Sequence, residues 1–168
     1  MIKIAAIFGL SALSACGYQL VGKEAHLPAG VGQVAVAAAR NKTMEASLEI
    51  TMTQDLLQAL KSDGRIRITS RKDADAILQS ELIDAVDQPL AFDKFGRGTL
   101  VQVTVRARVY LTRPGSGKEI WSSGSIAEDE QYPVGDDYLA NDRLRDIALG
   151  QVCQRISRIA VEKLATGF

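Results

Sequence analysis

The chain has 168 residues, with 20 basic against 20 acidic side chains, 46% hydrophobic residues and 24% charged ones. That length and balance describe one globular domain with a sizeable core, and exclude both a disordered chain and two full domains. The near-neutral charge also argues against a nucleic-acid binder, because a phosphate backbone demands a basic surface.

The first residues do not read as part of the domain. Lys3 precedes an apolar run from Ile4 to Leu13, followed by the small residues Ser14 and Ala15 and then Cys16. A basic start, an apolar stretch and small residues before a cut outline a secretory signal. The run is too short to span a bilayer, which takes ~20 apolar residues. Leu13-Ser14-Ala15-Cys16 resembles the lipobox of bacterial lipoproteins. In that family the cysteine sulfur receives a diacylglyceryl group, the chain is cut before it, and the new amine is acylated. The chemistry requires a thiol, because the thiolate is the nucleophile. Two or more acyl chains turn marginal membrane binding into stable anchoring. The alternative is an ordinary signal with a chance cysteine. Gly17, where enteric lipoproteins kept in the inner membrane commonly carry Asp, resembles an outer-membrane address. The expected division is residues 1–15 as signal peptide, 16–31 as lipid-anchored tether and 32–168 as a single α+β domain.

Within that domain, Val34 and Val36 alternate in a short strand over Gln33 to Ala37. A helix is expected from Thr43 as N-cap, with Glu45 in its first turn and an apolar stripe of Leu48, Met52, Leu56, Ala59 and Leu60. Ser62-Asp63-Gly64 ends it on a glycine suited to a left-handed cap. Arg65 to Thr69 alternates again, and Asp73-Ala74-Asp75 makes a turn. Ala76 to Val86 mixes helical and strand periods and is assigned as a strand, because the stretch after it needs a partner. That stretch alternates without exception: Val101, Val103, Val105, Ala107, Val109 and Leu111 face a core, with Gln102, Thr104, Arg106, Arg108 and Tyr110 opposite. Arg113 to Lys118 is a hairpin turn, and Glu119 to Asp129 returns through Ile120, Ser122, Gly124 and Ile126, with Trp121 on the other side. Asp136 or Asp137 caps a last helix reaching about Ala165, its stripe running through Leu144, Ile147, Ala148, Val152, Ile156, Ile159, Ala160 and Leu164. The fold class is α+β: a four-stranded, mostly antiparallel or mixed sheet with two helices on one face, the other face left open.

The chain carries little that reads as catalytic. His26, the single histidine, lies in a loop beside Pro28, and no Cys/His spacing suits zinc. Gly115-Ser116-Gly117-Lys118 lacks the first glycine and the closing Ser/Thr of a phosphate loop. Ser123-Gly124-Ser125 has no histidine nearby. Glu128, Asp129 and Glu130 read as a solvated charge run, Asn41-Lys42-Thr43 as a sequon without standing in a bacterial lipoprotein, and Cys153 as a buried apolar side chain without a disulfide partner. The expectation is no catalytic residue, no cofactor and no metal. The positive candidate is a binding surface. Lys94 and Arg97 flank Phe95 and Gly96 in a turn between long strands, and Arg106 and Arg108 lie on the open sheet face beside Tyr110. Basic groups against aromatic surface suit an anionic amphiphile. Solubilising charge on an exposed strand is the competing account.

In their order, these features resemble the lipopolysaccharide-assembly lipoprotein family, the LptE type. The matching stretches are Cys16-Gly17-Tyr18-Gln19-Leu20, Leu27-Pro28, the Leu56 to Gly64 helix end, Ala74-Asp75-Ala76-Ile77-Leu78, Phe95-Gly96-Arg97 leading into Val101 to Leu111, and the final helix. No single one is highly specific; their order is. The resemblance implies two helices on a four-stranded sheet. It also implies a non-enzymatic lipoprotein that plugs the outer-membrane barrel LptD, assists its assembly, and binds lipopolysaccharide in transit; of the candidate contacts Lys94, Arg97, Arg106 and Arg108, only the Lys94/Arg97 turn lies where a family basic turn would be. A periplasm-facing lipoprotein regulating a cell-wall synthase or secretion complex is the alternative.

Overall fold

The computed structural model describes residues 25–167. The signal peptide, Cys16, Gly17 and the start of the tether lie outside these residues. The described chain forms β1 (Gln33–Val36), β2 (Arg40–Asn41), α1 (Leu48–Asp63), β3 (Arg67–Ile68), β4 (Ala76–Phe92), β5 (Gly98–Thr112), β6 (Glu119–Pro133) and α2 (Tyr138–Thr166). The sheet is mixed and runs β3-β1-β4-β5-β6, with β2 paired to β4. It has six strands where four were expected. β2, two residues long, is too short to show any alternation, and β3 is the two-residue paired part of the alternating Arg65 to Thr69 stretch.

The six alternating residues of β5 from Val101 to Leu111 are all buried, as its period demands. They meet Leu48, Met52, Leu56 and Leu60 of α1 and Ala148, Val152, Ile156, Ala160 and Leu164 of α2 in one core. Ile147, expected on that stripe, is instead exposed. Cys153 is buried and unbonded, and burial pushes its thiol up to about 12.

One helix boundary and two strand registers depart from the sequence reading. Helix α1 starts at Leu48, one turn later than expected, because the polar residues ahead of it bond to one another. Asn41 Oδ1 accepts from the Thr43 N–H and hydroxyl, and Thr43 Oγ1 accepts from the Glu45 N–H. The N-cap is Ser47, at φ 64° and with no side-chain cap bond. The other two shifts come from bulges. Register slips between Leu82 and Asp84 on β4, which produces the mixed period there. It slips again between Arg108 and Tyr110 on β5, opposite Gly124 of β6 at φ 68°. Trp121, opposite Leu111, therefore shares the core side with Ile126, opposite Ala107, which corrects the expected β6 faces.

Of the two candidate caps of α2 it is Asp137 that accepts from the Leu139 and Ala140 N–H groups, and Gly167 closes the other end in a left-handed cap. The edge strand β6 is tied to α2. Arg155 pairs with Glu128 and Glu130 and donates to the Asp129 carbonyl, and Lys163 donates to the Ser123 carbonyl at 3.1 Å. Glu128 and Glu130 are thus helix anchors, not a solvated run.

Candidate functional site

The four basic candidates fall in two separate places. Lys94 and Arg97 occupy the tip of the β4–β5 hairpin; Arg106 and Arg108 lie further along β5, the nearer of them about 30 Å from the tip.

The tip is built by Asp93. Its carboxylate accepts from the Phe95 and Arg97 N–H groups at 2.8 and 3.0 Å, while its own N–H reaches the Arg97 carbonyl. Gly96 supplies the positive φ, 79°, that the turn needs. Backbone donation from Arg97, with its guanidinium, holds the Asp93 carboxyl below the usual range. Phe95 is 72% exposed, with Lys94 Nζ 4.9 Å and Arg97 Cζ 5.7 Å from its ring centroid. Arg97 also bridges to Asp93 and, at 2.9 Å, to Asp136 in the β6–α2 connection. Lys94 makes no ion pair among the described residues. Between the tip and the start of α2 lies a cleft of about 680 Å3, lined by Asp93, Arg97, Thr99, Val134, Asp136 and Tyr138. Leu90, Phe92, Tyr138 and Leu139 add exposed apolar surface at this end. Large exposed apolar side chains gathered beside cations mark an interaction surface.

Sequence reasoning missed Asp136, Tyr138 and Leu139 as parts of this end. The sequence offers Asp136 only as a candidate cap, and nothing local announces that it reaches back to Arg97.

On the open sheet face the two candidate cations are already matched. Arg106 pairs with Asp84 at 3.5 Å, Arg108 with Glu119 and the Ser122 hydroxyl, and Lys42 with Glu81. Arg108 lies over the Tyr110 ring, 5.0 Å from its centroid, and Tyr110 is buried. Gln88, Gln102 and Gln131 stand in one row across β4, β5 and β6. The face is polar and hydrogen-bonding.

The chain is picked up at the far end from the tip. The His26 N–H meets the Ala165 carbonyl at 2.8 Å, and Arg113 donates to the Ala29 and Gly30 carbonyls. Asp75 accepts from the Gly32 and Gln33 N–H groups, which holds its carboxyl below the usual range. The 29 residues of α2 separate the two ends by about 43 Å. No helix of the described residues is long and apolar enough to cross a membrane, and none of their His, Cys, Asp or Glu groups is arranged to hold a metal.

The family model for LptE, lipopolysaccharide-assembly, matches residues 31–165. No curated protein matches the chain by sequence. Among solved structures, rare lipoprotein B from Shewanella oneidensis is similar with TM-score 0.56 and 13% identity, over 79% of this chain and 93% of that one. An uncharacterized lipoprotein B from Nitrosomonas europaea is similar with TM-score 0.53 and 19% identity, over 89% and 94%. A lipoprotein from Caulobacter crescentus gives TM-score 0.53 and 12% identity, over 76% and 88%. At these identities the likeness is one of fold.

Proposed function

Since the chain belongs to the LptE family of lipopolysaccharide-assembly lipoproteins, we propose that it is held to the outer membrane by an acylated Cys16, plugs the LptD barrel while assisting its assembly, and binds lipopolysaccharide on its way to the outer leaflet. Its work is contact, without a catalytic step. The observation that carries the reading is the tip: two cations around an exposed aromatic ring, at the end of α2 opposite the tether. Phosphates of a glycolipid take charge-assisted hydrogen bonds from such cations, and acyl chains take the neighbouring apolar surface. The separation of the ends supports an upright arrangement, with the anchor in the inner leaflet and the tip directed along the barrel. Large barrels enclose a wet lumen, which the polar, hydrogen-bonding sheet face suits. Arg106 and Arg108, matched by carboxylates of their own chain, are secondary glycolipid contacts in this reading.

Capture from outer membranes by the Cys16-anchored protein tests the partner: recovery of a large barrel is expected, and recovery of a wall synthase instead would favour the regulator reading. Lys94→Ala with Arg97→Ala tests the ligand. Lipopolysaccharide binding should weaken while the fold is kept, and unchanged binding removes the tip from the proposal.

A further inference from the structure

The two carboxylates on Arg97 differ in kind. Asp93 is part of the turn, bound to two backbone N–H groups and mostly covered. Asp136 is 90% exposed, and among the described residues its side chain bonds to nothing but Arg97. The backbone around it is fixed by other residues: Asn141 bonds both the N–H and the carbonyl of Gly135, and Asp137 is committed to the helix cap. Asp136 is therefore held in place by its neighbours and held to Arg97 by one exposed pair.

We propose that Asp136 is a built-in competitor for the anion site at the tip: it occupies Arg97 in the free protein and is displaced when a phosphate binds there. This rests on the reading of the tip as a glycolipid-phosphate site. Arg97 Nε is kept by Asp93, but Nη2 has no partner among the described residues and Nη1 has only Asp136. A phosphate bridging Nη1 and Nη2 gains two charge-assisted bonds, with Lys94 nearby to share its charge, and its negative charge repels the aspartate held on Nη1. An exposed pair is weak enough to be exchanged. The exchange also removes one tie between the hairpin tip and the β6–α2 connection, across 39 positions of sequence, while the Val134 N–H keeps its bond to the Thr99 carbonyl.

Direct binding of lipopolysaccharide by the wild type, Asp136→Asn, Asp142→Asn, Arg97→Ala/Asp136→Asn and Lys94→Ala/Arg97→Ala tests this. Asp142 is an exposed acid of α2 and controls for net charge. D136N should bind about two- to fivefold tighter, D142N should match the wild type, and the gain should vanish without Arg97. D136N binding no tighter than D142N, while the Lys94/Arg97 variant loses binding, overturns the competitor and leaves the site. Equal binding by the wild type and the Lys94/Arg97 variant overturns the site itself.

Discussion

Arg145 of α2 meets Glu45, which precedes α1, through two parallel hydrogen bonds of 2.6 and 2.7 Å, and its Nη2 also reaches Asp87 of β4 at 2.7 Å. One guanidinium thus joins the α1 entry, the hairpin and α2 where the hairpin leaves the helix layer. The hydrogen bonds from Arg145 hold the Glu45 carboxyl below its usual range, and the same bonds raise Arg145. Arg145→Ala strips two partly buried carboxylates of their partner and should cost about 2 kcal/mol in urea unfolding at neutral pH. Because the folded pKa of Glu45 is depressed, its contribution is present at neutral pH and is lost as pH falls through that value. Glu45→Gln should therefore flatten the acid side of the stability profile, and an unaltered profile would remove Glu45 as a source of acid sensitivity.

Asp55 of α1 behaves in the opposite sense. It lines a cleft of about 390 Å3 between α1 and α2, and its Oδ2 is buried without a partner. Burial raises its pKa, and its charge in turn helps to raise Cys153. A raised carboxyl favours the folded state at low pH and loses that advantage as pH rises through the folded value. Asp55→Asn should stabilise the protein by about 1 kcal/mol at neutral pH, with the difference closing under acid. Paired urea melts at the two pH values check it; a stabilisation that persists in acid would point to packing instead of charge.

How much of this was visible in advance depended on whether a pattern stayed in phase. β5 keeps one period from Val101 to Leu111, so both of its faces could be assigned from sequence. β4 and β6 lose phase at bulges, and a bulge is set by pairing with a neighbour that sequence does not reveal. The same blindness explains the basic residues. Arg106 and Arg108 look free along β5, but their carboxylates come from β4 and β6 through the strand register. Lys94 and Arg97 were placed in the right turn, since Phe95-Gly96 announces one. The Asp136 contact was invisible because it spans two long strands.

Gly124 gives a direct test of the β6 bulge. At φ 68° it adopts a conformation that L side chains avoid, and no atom lies within 4 Å of where a Cβ would be. Gly124→Ala should therefore cost only the backbone penalty, about 1 kcal/mol. The far-UV spectrum should be unchanged, with a shift in near-UV intensity from Trp121, which lies close by on the same strand. A neutral substitution would mean that the bulge relaxes in solution.

The outer edge of β6 is left unpaired by the sheet order. A strand of 15 residues at a sheet edge is a template for strand addition. Here Arg155 and Lys163 donate to the Asp129 and Ser123 carbonyls, so two acceptors that a further strand would need are already taken. Glu128 and Glu130 hold Arg155 in place, and Arg155 in turn holds Glu130 below the usual carboxyl range. The edge is blocked to strand addition at those two positions. Arg155→Ala with Lys163→Ala should reopen it, giving concentration-dependent self-association in sedimentation velocity. Lys163→Ala alone, which frees one carbonyl, should show a smaller effect. Arg155→Ala also bares Glu128 and Glu130, so the comparison is made where circular dichroism shows each variant fully folded. A double variant that stays monomeric there would show that the edge is protected by something other than these two side chains.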